Sequence, residues 1–150
     1  MKKISLIITL LLIVSPAFAQ TAEDLMTRFQ YHRNAVYQKL DLTEKQTKKI
    51  QKIDNNVYIK LEPELKQISN YINKIDEIAN SDNCTIERIN EVKEEFKTTE
   101  ERVSAIKDKH EKAINRVLTK EQKTAYEEAK EIQRKEIQKE IEALKEAQKQ

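Results

Sequence analysis

A chain of 150 residues with no glycine, two prolines and 36% charged side chains has room for one domain and speaks for helices, since the residues that make strands and tight turns are scarce while Lys, Glu, Gln, Ile and Ala dominate. The formal charge of +2 disappears with the first nineteen residues, which hold Lys2 and Lys3 and no acid, so basicity gives no ground to expect a nucleic-acid partner. Tryptophan is absent, and beyond residue 19 phenylalanine is limited to Phe29 and Phe96, so the core must be thin.

Residues 1–19 read as an export signal. Lys2 and Lys3 form a basic start, Ile4 to Val14 an apolar run bounded by Ser15-Pro16, and Ala17-Phe18-Ala19 a small-residue cleavage site. Cleavage after Ala19 leaves 20–150 as a single helical domain. The apolar run is short for a bilayer span and no second one follows, so stable membrane insertion is not expected. An uncleaved anchor is the alternative.

In the remaining chain, Thr21-Ala22-Glu23-Asp24 can cap a first helix whose apolar side, Leu25, Met26, Phe29, Val36, Tyr37 and Leu40, is expected to reach Asp41. The second helix carries Ile50, Ile53, Val57, Leu61, Leu65, Ile68, Ile72, Ile75 and Ala79 at steps of three and four, one face for about eight turns. Pro63 falls inside it without disturbing that register, which predicts a bend near 59–63 in a helix that continues; a break into two helices is the runner-up. Residues 80–85, Asn-Ser-Asp-Asn-Cys-Thr, form a hairpin tip ending in a capping threonine. A third helix follows with Ile89, Val92, Phe96, Thr99, Val103, Ile106, His110, Ala113 and Val117 in three-four alternation of the coiled-coil kind. A fourth, from Thr119, places Tyr126, Ala129, Ile132, Ile137, Ile141 and Leu144 amid Lys and Glu, and is expected to fray over 145–150. The fold class is all-α: four helices with a long antiparallel hairpin in an elongated, thin domain.

Two corners repeat. Leu42-Thr43-Glu44-Lys45-Gln46 returns as Leu118-Thr119-Lys120-Glu121-Gln122, each where an amphipathic run restarts. The spacing is that of a capping box, in which the threonine side chain accepts from the backbone N–H three residues on and the glutamine reaches back to the threonine's own N–H. The staple positions that Leu42 and Leu118 would use fall on Thr47 and Lys123, so both leucines are expected to pack against another helix.

Nothing in the sequence groups into a catalytic constellation: the carboxylates stand at helical spacing beside lysines, the pattern of exposed ion pairs, so no enzyme and no cofactor are expected. His110 falls on an apolar stripe, where a hydrogen-bonded core histidine is the common case; a metal shared by His32, His110, Asp108 or Glu111 is the sharper reading, without a recognisable ligand spacing. Cys84 is the one cysteine and stands at the hairpin tip, open to an intermolecular bridge or to remaining a free thiol.

The doubled L-T-x-x-Q, with LDLTEKQTKKIQKI at 40–53 and NRVLTKEQKTAY at 115–126, resembles the Spy/CpxP family of periplasmic proteins over about residues 25–130. The resemblance implies a periplasmic chain with a cradle-like domain that forms thin helical dimers and binds unfolded or misfolded envelope proteins without ATP, through a concave face of basic and apolar side chains. Arg28, Arg33, Lys45, Lys48, Lys49 and Lys52 beside Phe29, Tyr37, Ile50 and Ile53 are the local counterpart. The scarcity of methionine departs from the usual make-up of promiscuous surfaces, since Met26 alone remains after processing. The alternative role is a regulatory subunit that docks on the periplasmic part of a sensor kinase responding to envelope stress or metal.

Overall fold

The structure, a computed structural model, describes residues 21–147; the export signal expected at 1–19 and residues 148–150 of the expected frayed end lie outside the described residues. It holds four helices: α1 Ala22–Tyr37, α2 Glu44–Ala79, α3 Ile86–Val117 and α4 Lys120–Ala147. The all-α expectation holds. Thr21, Thr43 and Thr85 each cap the helix that follows by accepting from a backbone N–H three residues on, which satisfies one of the orphan donors at each helix start.

The first helix stops short of Asp41. After Tyr37 the N–H groups of Lys39 and Leu40 donate to the Val36 and Tyr37 carbonyls, three residues back, and the chain leaves the helix at Asp41, whose φ is 49°. That left-handed turn suits glycine best and aspartate next. In a chain without glycine, aspartate takes it.

α2 is continuous through Pro63, which excludes two separate helices. Proline removes one backbone donor, leaving the carbonyl four residues earlier, that of Ile59, without its helical partner. Both Pro63 and Ile59 are on the exposed side. At 1.5 Å per residue, the 36 residues of α2 extend about 54 Å.

α2 and α3 form the long antiparallel hairpin. Its rungs descend one helix as they climb the other: Asp54 meets His110, Glu64 meets Arg102, Tyr71 packs edge-on against Phe96 at 5.5 Å, and Lys74 meets Glu95. The expected stripes face each other, with Ile50, Val57, Leu61, Leu65, Ile68 and Ile72 from α2 and Val92, Phe96, Thr99, Val103 and His110 from α3 all buried. Burying one such large apolar side chain contributes about 1.5–3 kcal/mol. At the tip the register drifts, so Ile78 is buried where Ala79 was expected. α1 packs on α2, and α4 packs on α1.

The apolar core is divided. One cluster joins Leu25 of α1 to Val57, Leu61, Leu65, Ile68, Ile72, Phe96 and Val103 of the hairpin. A second gathers Val36, Leu40, Ile50, Ile114, Leu118, Tyr126 and Ala129 at the corner end. On α4, Ile137 and Ile141 make a third, small one, but Ile132, expected on the same stripe, is 45% exposed.

Candidate functional site

Each repeated corner is a complete capping box. Thr43 Oγ1 accepts from the Gln46 backbone N–H at 3.2 Å while the Thr43 N–H donates to Gln46 Oε1 at 3.0 Å; Thr119 and Gln122 make the same two bonds at 3.2 and 3.0 Å. Because only the amide oxygen can accept from the threonine N–H, both amide nitrogens are turned outward from their own helix ends.

Those nitrogens bring the two corners together. Gln46 Nε2 donates to Gln122 Oε1 at 2.7 Å and to the Val117 carbonyl at 3.1 Å. Gln122 Nε2 returns the bond to Gln46 Oε1 at 3.1 Å and reaches the Asp41 and Leu40 carbonyls at 3.3 and 3.4 Å. Val117 and Asp41 each stand two residues before the threonine of their own corner, so the contact is locally two-fold: each glutamine caps its helix and holds the carbonyl that enters the other corner. Leu118 is buried and Leu42 is packed against the same cluster, as expected of leucines lacking a staple partner.

Between the two larger apolar clusters lies a polar knot drawn from all four helices. Arg33 of α1 donates through Nη1 to Glu111 Oε1 at 3.0 Å, and through Nη2 to the Tyr37 and Tyr126 hydroxyls at 2.9 and 3.0 Å. Tyr37 donates to Asp54 Oδ1 at 2.9 Å, and His110 Nε2 stands 2.6 Å from the same oxygen. Tyr126 donates to Glu111 Oε1 at 2.7 Å and Lys130 to Oε2 at 2.9 Å. Burial alone would push the Glu111 carboxyl up, but the hydrogen bonds from Tyr126 and Lys130 and the charge of Arg33 hold it below its ordinary value. Burial pushes the hydroxyls of Tyr37 and Tyr126 up, against the pull of Arg33. Chemically this is a cross-link: both oxygens of Glu111 are taken up by partners inside the fold.

The residues expected to meet clients are divided by this arrangement. Arg28, Lys45, Lys48, Lys49 and Lys52 are exposed, Lys48 pairing with Glu44 at 2.6 Å. Phe29 and Ile53 are half-buried, with Phe29 edge-on to Tyr58 at 6.0 Å. Ile50 is 3% exposed, and the Arg33 and Tyr37 head groups are occupied by the knot, so these three belong to the interior and not to a face that meets clients. His32 accepts from Gln133 across the α1–α4 contact at 2.7 Å; its neighbour in the alternative metal reading, His110, is committed to Asp54. Among the described residues no three His, Cys, Asp or Glu side chains group closely enough to hold a metal, and no helix is long and apolar enough to cross a membrane. Cys84 is exposed in the 80–85 loop.

A family model described as a domain of unknown function, DUF4890, matches residues 18–126. The chain belongs to that family. The match takes in both corners and ends at Tyr126, so the DUF4890 region of this chain contains the whole glutamine contact and every member of the polar knot except Lys130. No curated protein and no solved structure matches the chain.

Proposed function

We propose that this DUF4890 protein is a non-catalytic, ATP-independent holder of unfolded or misfolded proteins in the periplasm, acting as a homodimer. The observation that carries the reading is the company kept on α1 and the first half of α2: Arg28, Lys45, Lys48, Lys49 and Lys52 are exposed beside Tyr31 and Ile59, which are 69% and 70% exposed. Cations speed the encounter with a non-native chain by long-range attraction, and scattered apolar side chains hold it weakly enough to release. The likeness of the paired corners to the Spy/CpxP motif supports the same role, and the export pattern of residues 1–19 supports the compartment. With Ile50, Arg33 and Tyr37 inside, the contact face consists of the lysines with Arg28, Phe29, Ile53, Tyr31 and Ile59.

The test is capture of an unfolded exported protein followed by stopped-flow fluorescence. Replacing Lys45, Lys48, Lys49 and Lys52 together by glutamate is expected to slow capture at least tenfold while leaving the helical circular dichroism intact, and salt near 1 M, where the screening length is about 3 Å, is expected to slow the unaltered protein likewise. Equal rates would contradict the proposal. Saturable binding to one sensor domain, with no capture of unfolded chains, would give the docking-regulator role instead. For the homodimer, light scattering coupled to gel filtration is expected to give twice the chain mass at micromolar concentration; a monomer there would remove it.

A further inference from the structure

A groove of about 370 Å³ runs between α1, α3 and α4 and shares only Phe29 with the face proposed for clients. Its size is at the lower end of the range of about 300–1,000 Å³ found for small-molecule sites. Phe29, Val36 and Ile137 give it an apolar wall; Arg33, Lys107, Lys130 and Arg134 supply its cations. Three of those cations are paired within the chain, Arg33 with Glu111, Lys130 with Glu111 and Glu127, and Arg134 with Glu131. Lys107 differs. Among the described residues it enters no ion pair within 4.0 Å, and Glu111 and Asp108 attract it only from beyond that distance, while Arg33 and Lys130 repel it. Burial and the charge of Arg33 together lower its pKa below the ordinary lysine value. The Lys107 side chain is half-buried, and an ammonium partly withdrawn from water with no counter-charge in contact is destabilising.

One cation without an ion pair, Lys107, beside an apolar wall defines the complement it lacks. We propose that this groove binds a small carboxylate with a short apolar tail, its oxygens accepting from Lys107 Nζ and its tail lying on Phe29, Val36 and Ile137. A single negative charge suits one unpaired ammonium; a phosphate dianion would face Asp108, Glu111, Glu127 and Glu131 in the same walls.

Isothermal titration calorimetry of the purified protein with octanoate, 1-octanol and octylamine tests the proposal. Octanoate is expected to bind, 1-octanol at least tenfold more weakly and octylamine not at all, and Lys107→Gln is expected to cost at least tenfold in octanoate affinity with the circular dichroism and melting temperature kept. The alcohol comparison uses unaltered protein, so it stands even if the variant fails to fold. Competition by acetyl-trileucine with a free C-terminus, against the same peptide amidated, identifies the source: displacement of octanoate by the free acid alone points to a peptide chain end, and no displacement by either points to a fatty acid. Absence of octanoate binding, equal binding of the alcohol, displacement of octanoate by the amide as strong as by the acid, or unchanged affinity in a folded Lys107→Gln protein would overturn it.

Discussion

Gln46 and Gln122 use both ends of one amide, oxygen for the cap of their own helix and nitrogen for the opposite corner. Each is half-buried, so losing one takes an acceptor from its partner's amide nitrogen, which keeps only backbone carbonyls, and leaves a threonine N–H without its cap; losses of this kind cost about 1–3 kcal/mol. Gln46→Ala and Gln122→Ala are each expected to lower stability by that amount in urea denaturation. The double variant is expected to lose less than the sum, with a coupling of about 0.5–3 kcal/mol, because the second change removes a group that has already lost its partner. Strict additivity would show that the corners are independent caps. The caps themselves were legible in the sequence, since Thr-x-x-Gln is a local pattern; the clasp between them joins residues 76 apart and leaves no local trace. The polar knot was legible in part, since His110 on its apolar stripe was expected to be a hydrogen-bonded core histidine, as it is, while Asp54 was not singled out. Asp54 continues the stripe Ile50, Asp54, Val57, Leu61, and His110 interrupts the facing stripe on α3, so two polar residues on opposed apolar faces already pointed to a buried pair.

At the scale of the element, the helices follow from periodicity because each long helix buries a single stripe, and a three-four pattern fixes which residues lie on it. Where the readings drifted, a partner helix decided. Ile78 replaced Ala79 at the tip, Ile132 stayed exposed on α4, and the α1–α4 contact of His32 with Gln133 depends on how two helices distant in sequence cross. Pro63 is the one helical residue whose conformational cost stands apart from packing, for its side chain is exposed and the stripe passes it by. A proline inside a helix is about 3 kcal/mol worse than alanine. Pro63→Ala is therefore expected to stabilise the chain by about 1–3 kcal/mol in thermal or urea unfolding, with the fold retained. No gain would mean that the surrounding structure is built around the proline.

For the whole molecule, two larger apolar clusters with a polar knot between them make a scaffold whose stability comes from many small burials and whose specificity comes from a few satisfied polar contacts. Breaking such a knot by removing one partner costs about 3–5 kcal/mol, because it strands a buried charge. That arrangement ties the ends of a long thin hairpin to α1 and α4 and leaves the lysines of α2, with Tyr31 and Ile59, in solvent. The functional proposal asks this outer face to hold non-native chains without an energy source, and it is most directly tested by light scattering of a reduced, aggregating exported protein mixed with several-fold excess of this chain. Suppression of the scattering without added ATP is the predicted result. Scattering that rises as fast with the chain present as without it would contradict the account.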